Sequence, residues 1–285
     1  MRPIALSRIA LVIFCLSWGA DQKTALAAER APGESLTALL LGGETMEFVW
    51  IPPGRFTMGA TPEERERLEQ LGWWGGDFHN EQPAHEREVS EGFYLGKFEL
   101  TQRQWTGVMR TAPWQGYIAT QPTSPAVCLS WDAVQLFIER LNKAMGDSLY
   151  RLPTEVEWEY ACRAGTRTPW FFGADPDSLD SYAWFYENAR RKGTQAPLPV
   201  GLKRPNPWGL FDVYGNAWEW CADKVVPYVP TGFAGPLLSL NMDLRIMRGG
   251  CFDSSIYIRS ALRGASVPST GYNIFNGARI IRRAR

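Results

Sequence analysis

The alternation of apolar and polar positions divides the chain into short elements joined by long turns. Met46-Glu-Phe-Val-Trp-Ile51 alternates and predicts a strand. Pro52-Pro-Gly54 turns it, and Arg55-Phe-Thr-Met58 returns as the second arm of a hairpin. Thr61 to Leu71 predicts a helix: Thr61 caps it, Pro62 fits its first turn, and Glu63 and Glu64 suit the positive end of its dipole. Glu88 to Leu100 alternates again, with Phe93, Leu95 and Phe98 as candidate core positions. Thr101 and Gln104 form a capping box for a helix that turns Trp105 and Val108 inward. Ser130 caps a clearer helix, in which Val134, Phe137, Ile138 and Leu141 recur at helical spacing. Thr154 and Glu157 cap the next, which runs to Gly165. Trp170 to Leu202 keeps no period and reads as a long loop that builds a binding surface. Arg245 to Phe252 reads as a strand bent at Gly249-Gly250, with closing strands at Tyr257–Leu262 and Gly277–Ile281. No repeat and no shift of composition marks a second domain.

The stretch Asn206 to Cys221 organises the rest. Pro207 and Gly209 break regular structure, Gly215-Asn216 bends the backbone, and Ala217 to Trp220 alternates as a strand. Asp212 and Glu219 stand on either side of the bend, with the Gly215 and Ala217 carbonyls between them. Carboxylates and backbone oxygens on a tight loop suit calcium; the alternative is a buried aromatic strand whose Glu219 caps a loop amide.

Composition narrows the function. Basic and acidic residues balance at 30 each, which argues against nucleic acid as a partner. The 13 tryptophans, 27 glycines and 20 prolines suit a loop-rich fold with aromatic anchors, not a helical bundle. Residues 1–27 read as an export signal: a basic start, an apolar run from Ile9 to Ala20 too short to span a bilayer, and a small-residue cleavage site at Ala25-Leu-Ala-Ala28. Residues 28–45 read as an extended lead-in and 46–285 as the folded domain. No later stretch is long and apolar enough for a membrane span. In an oxidising compartment Cys128, Cys162, Cys221 and Cys251 favour disulfides, and the strand-like runs before Cys221 and Cys251 favour pairing those two, leaving Cys128 with Cys162. The rival reading leaves Cys251 free and reactive. His79, His85 and Glu86 are a further, isolated metal-ligand candidate, against the alternative of loop histidines that are simply hydrogen-bonded.

An ordered set of motifs resembles the formylglycine-generating-enzyme (sulfatase-modifying factor) family. It comprises Phe48-Val-Trp-Ile-Pro-Pro-Gly-Arg-Phe-Thr-Met-Gly59, Phe93 to Thr101, Ser130-Trp131, Arg151-Leu-Pro-Thr-Glu-Val-Glu-Trp-Glu-Tyr160, Gly215-Asn-Ala-Trp-Glu-Trp220, Arg248-Gly-Gly250 and Gly277-Ala-Arg279. The resemblance covers nearly all of the chain after the signal. It implies an α+β, single-domain variant of the C-type-lectin fold with little regular structure. It also implies a calcium site at Asp212, Gly215, Ala217 and Glu219; a second family site near Asn188 lacks its acidic half, because Arg190, Arg191 and Lys192 occupy it.

The resemblance breaks where the chemistry should be. Family members that generate formylglycine hold copper with two cysteines after the Arg-Gly-Gly strand. Here Cys251 stands where the family has serine, and neither expected cysteine is present. One thiolate cannot build that site, so copper is not expected. The residues identify no flavin, nicotinamide or other redox cofactor. Family members with an export signal and no copper pair imply a periplasmic step in siderophore maturation: oxidation of the dihydro precursor of pyoverdine to its fluorescent chromophore. The partners implied are a peptide siderophore precursor and other periplasmic maturation enzymes. Cys251 and Asp253 are then the candidate catalytic residues, and Trp218, Arg248 and Arg263 the candidate substrate-binding ones. A non-catalytic lectin-like module that binds the precursor or a partner enzyme is the alternative. An atypical sulfatase-modifying oxidase using Cys251 alone is the minor one.

Overall fold

The computed structural model describes residues 30–74, 81–226, 243–254 and 258–284. The expected signal segment lies outside them. Residues 31–285 form one compact unit.

Strands β1 (Ser35–Leu39) and β2 (Thr45–Ile51) form an antiparallel hairpin closed by Leu40 to Glu44. A boundary at residue 46 would therefore cut the first sheet, since the lead-in supplies its edge strand. β3 (Gly54–Met58) does not return on β2 as the turn at Pro52-Pro53 suggested; it pairs with β4 (His85–Val89). β2 is instead claimed by β5 (Phe93–Gly96), with Val49 opposite Leu95. The reason is burial: from Phe48 onward β2 is covered on both faces. Phe48 and Trp50 enter one apolar cluster, and Val49 and Ile51 enter the other. A strand buried on both sides needs a neighbour at each edge that can bury as much.

The helices start where their caps predict. Thr61, Thr101 and Thr154 close capping boxes on α1 (Pro62–Gln70), α2 (Gln102–Met109) and α4 (Glu155–Arg163), and Ser130 caps α3 (Trp131–Met145). α3 lays Val134, Phe137, Ile138 and Leu141 into the first cluster, where Phe137 stacks on Trp105 of α2 at 5.5 Å. The expected loop after Trp170 contains a 3-10 turn (Pro176–Ser181) and α5 (Tyr186–Arg191). β6 (Tyr150–Arg151) and β11 (Ile281–Arg283) complete a five-stranded sheet in the order β1-β2-β5-β11-β6. β7 (Trp218–Lys224), β8 (Arg245–Arg248), β9 (Arg263–Ser266) and β10 (Asn276–Gly277) form a second sheet in the order β10-β7-β8-β9. Of the strand expected at Tyr257–Leu262, Tyr257 lies outside the described residues, Ile258–Leu262 forms no strand, and Arg263–Ser266 takes the place in the sheet.

Charged residues are buried between the two clusters. Glu155, Glu159 and Arg163 sit four residues apart on one face of α4. Glu159 accepts from Arg163 and from the Gly59 amide, both at 2.8 Å, and from Arg248. Arg163 reaches Glu64 of α1 at 2.8 Å and the Gly59 carbonyl at 2.9 Å. Glu155 takes Arg263 in a two-point pair at 2.6 and 3.0 Å. Burial opposes charge on Glu159, yet Arg248 and Arg163 hold its carboxyl below the usual range. One helix thus ties β3, α1, β8 and β9 together.

The four cysteines are free thiols, all buried, which overturns the disulfide expectation. β7 and β8 do pair, but antiparallel, with Glu219 opposite Arg248. The chain after Arg248 therefore runs away from Cys221, and Phe252 hydrogen-bonds to the carbonyl of Asn216. Cys128 and Cys162 belong to different clusters. Burial pushes the Cys128 and Cys162 thiols up to about 11 and about 12.

Two outcomes follow. Thiol titration of the chain lacking residues 1–27, in denaturant without reductant, should count Cys128, Cys162, Cys221 and Cys251 as free, and the native protein should react far more slowly. Glu159→Ala should cost about 3–5 kcal/mol in chemical denaturation, because it strands two buried guanidinium groups.

Candidate functional site

The bend at Gly215 is fixed by close approach. Gly215 has φ +80, and a Cβ there would lie 1.8 Å from the Trp184 carbonyl oxygen. Asn216, at φ 55, accepts from the Leu198 amide and donates to Glu99 at 2.9 Å. The other Glu99 oxygen accepts from the Ala217 amide at 2.9 Å. Glu219 faces Arg279, whose Nε and Nη2 approach it at 2.8–3.0 Å, and takes the Trp158 indole N–H at 2.6 Å. Arg279 also donates to the carbonyls of Gly96, Lys97 and Phe211, so it staples the first sheet to the bend.

Glu219 alone pairs with Arg279, while the buried Glu99 and Asp212 carboxyls lie close enough to feel its charge. Burial, then the charges of Asp212 and Glu219, push the Glu99 carboxyl well up. Burial raises Asp212 to about 6, against the Gly201 amide and Arg279, which favour its charge. Glu99 and Arg279 stood inside quoted motifs, yet nothing local in the sequence signalled that they converge with Asp212 and Glu219 across the fold.

The calcium set fits in part. One Asp212 oxygen accepts from the Gly201 amide at 2.7 Å, and the other is buried without a hydrogen-bond partner. That is an open oxygen in a cluster rich in negative charge, which suits a cation. Both Glu219 oxygens already carry hydrogen bonds. Among the described residues no three His, Cys, Asp or Glu side chains converge as a ligand set. His85 donates a ring N–H to the Pro83 carbonyl at 3.0 Å and Glu86 accepts the Thr57 hydroxyl, while His79 lies outside the described residues. Asn188 spends both ends of its amide on its own loop.

The structure separates the residues expected to bind and transform a substrate. Arg248 is fully buried, paired with Glu159 and the Leu262 carbonyl, and Arg263 is buried against Glu155 and the Val226 carbonyl. Neither lines the two cavities described below, and both guanidinium groups hold buried carboxylates of the framework. Trp218 is half-buried over Gly264, where a Cβ would meet its ring at 2.8 Å. The Cys251 thiol is buried 3.4 Å from the Ser254 hydroxyl, and burial raises its pKa. Asp253 alone is exposed at a cavity of about 340 Å³. Tyr186, Ala189 and Arg190 of α5 form one wall of it, and Phe252, Ile274 and Phe275 another. A larger recess of about 630 Å³ lies at the start of α4 and the end of β11. Its Arg151 and Glu157 already pair at 2.6 and 2.7 Å, and its Asp223 accepts the Glu155 amide. None of the expected site residues reaches it. The smaller cavity is the candidate site because it joins an aromatic lining to Asp253.

Comparison with known proteins agrees with this architecture. The structure of PvdO from Pseudomonas aeruginosa superposes with a TM-score of 0.72 at 25% identity, covering 90% of this chain and 100% of that one. Treponema denticola variable protein 1 superposes at 0.71 with 21% identity, over 88% and 99%. The chain is 26% identical to the chaperone protein LppX of Paenibacillus barcinonensis over 73% of its length and 87% of that protein. It is 32% identical to the formylglycine-generating enzyme of Streptomyces coelicolor over 54% of its length, spanning about half (51%) of that enzyme. Among the described residues no helix is long and apolar enough to cross a membrane. The sulfatase-modifying factor enzyme 1-like domain matches residues 41–284, and the chain belongs to that family.

Proposed function

We propose that this chain is an exported maturation protein for a peptide siderophore, needed where the dihydro precursor of pyoverdine is oxidised to the chromophore. The observation that carries this reading is the likeness to PvdO along nearly the whole chain, joined to the absence of the two cysteines that follow Arg-Gly-Gly in formylglycine-generating members. The ring of the precursor would sit in the cavity beside Asp253, against Tyr186, Phe252 and Phe275, with the peptide outside it. The oxidation removes two electrons and two protons. Asp253 is exposed and free to take one proton from the ring. Dioxygen, taking both electrons and both protons to become hydrogen peroxide, would balance the step, and a partner or cofactor would supply the redox chemistry that these residues lack.

A second reading has its own support. Arg248 and Arg263 are spent on the framework, and the Cys251 thiol is buried with a raised pKa. A binding module that presents the precursor to another periplasmic enzyme needs none of these groups. Calcium belongs to either reading as a structural ion: Asp212 with the Gly215 and Ala217 carbonyls would hold it, and it would offset the buried carboxylates.

Mass spectrometry of the siderophore secreted by a deletion strain should show a precursor two hydrogens heavier than the mature product; normal product would sink the maturation role. Complementation with Asp253→Asn and Cys251→Ser then separates the two readings. Loss of oxidation with Asp253→Asn supports chemistry in the cavity, and full activity of both variants supports the binding module.

Calcium has its own test. Without metal, the raised Asp212 carboxyl contributes stability in full below pH about 4, and that contribution is lost as pH rises through about 6. In chelator, Asp212→Asn should therefore gain on the wild type between pH 4 and pH 7. Calcium at a hundred times its Kd should stabilise the wild type at pH 7.5 by about 2.7 kcal/mol, or roughly 5–10 °C in Tm, and the variant much less. A wild-type Tm indifferent to calcium removes the ion from the account.

A further inference from the structure

The cavity beside Asp253 carries a charge pattern that its role in the fold does not explain. Arg190 enters it from α5, with its guanidinium 4.4 Å from the centre of the Tyr186 ring. Asp253 enters it from the loop that follows Gly249-Gly250. Both side chains are exposed. Among the described residues neither has an ion-pair partner, and they do not pair with each other. Phe252 and Phe275 contribute an aromatic pair to the same lining, with ring centres 5.5 Å apart. A lone exposed charge is ordinary on any surface. Two opposite charges that line one concave aromatic site without pairing leave both open to a ligand's charged groups.

We propose that this cavity binds an aromatic group whose side arm carries both an acidic group, held by Arg190, and a basic group, held by Asp253. The rings supply apolar contact and stacking, which tolerate many substituents. The guanidinium offers a planar donor fork that matches a carboxylate, and the Asp253 carboxylate accepts from an ammonium or other N–H donor. The Arg190 guanidinium, already stacked on Tyr186, is partly pre-oriented, so less freedom is lost when it binds. At about 340 Å³ the site is at the small end of ligand pockets, which suits a single aromatic unit and not a folded peptide. The inference shares its cavity with the proposed function but does not use siderophore chemistry.

The probes are L-tyrosine, tyramine, which lacks the carboxylate, and 3-(4-hydroxyphenyl)propanoate, which lacks the ammonium. Ligand-observed NMR titration of the full chain should find L-tyrosine bound about tenfold more tightly than either, the size expected for one charged contact of about 1.4 kcal/mol. Arg190→Gln should reduce L-tyrosine to the affinity of tyramine, and Asp253→Asn should reduce it to that of the propanoate. Arg190→Lys and Asp253→Glu should keep most of the discrimination, which separates recognition from misfolding. Equal affinity for the three probes, no binding of any, or discrimination unchanged by Arg190→Gln and Asp253→Asn overturns the proposal. Probe binding alongside normal siderophore in the deletion strain would refute the maturation role and leave this inference standing. A precursor phenotype without probe binding would do the reverse.

Discussion

The fold depends on the face of α4 that carries Glu155, Glu159 and Arg163. A helix of nine residues has little stability of its own, and its apolar side packs into the second cluster alone. Its charged side therefore does what packing would otherwise do. Glu159 receives two guanidinium groups and a backbone amide, Arg163 reaches α1, and Glu155 reaches β9. Buried charges of this kind gain little over well-packed apolar groups, but removing one member strands the rest. The lattice therefore restricts which arrangements of sheet and helix are tolerable more than it adds net stability. The Arg279–Glu219 pair has the same logic at the bend, holding strand ends that share no regular ladder.

This division explains what could be read from the sequence. Caps are local: Thr61, Thr101, Ser130 and Thr154 announce α1 to α4 because the partner of each cap lies three residues away. Strand partners are not local. Pro52-Pro-Gly54 reads as a hairpin turn because the next residues look strand-like, but burial of Phe48 to Ile51 on both faces draws β5 to β2 and sends β3 to β4. The cysteines mislead for a related reason. β7 and β8 were recognisable as partners, but only their register shows that Cys251 moves away from Cys221.

The candidate site was legible unevenly. Asp212 and Glu219 do come together, because Gly215 can only bend one way against Trp184. Their shared environment with Glu99 and Arg279 was not visible, since those residues approach from 113 and 67 positions away from Asp212 only through the sheets. Arg248 and Arg263 looked like substrate anchors because arginine suits anionic ligands, yet the same fork geometry suits a buried carboxylate equally well. Burial decides between the two uses, and periodicity in β8 and β9 is too short to reveal it.

The two populations of charge in this molecule therefore answer to different constraints. Arg163, Arg248, Arg263 and Arg279 are each engaged by carboxylates and carbonyls, so a change at any of them is felt by several elements at once. Arg190 and Asp253 touch no element whose position depends on them. A scaffold whose buried arginines are held from within can change the side chains at its cavity rim without refolding. A change at Asp253 or Arg190 therefore leaves the framework undisturbed, because the pair that fixes the end of β8, Arg248 on Glu159, does not use the rim residues.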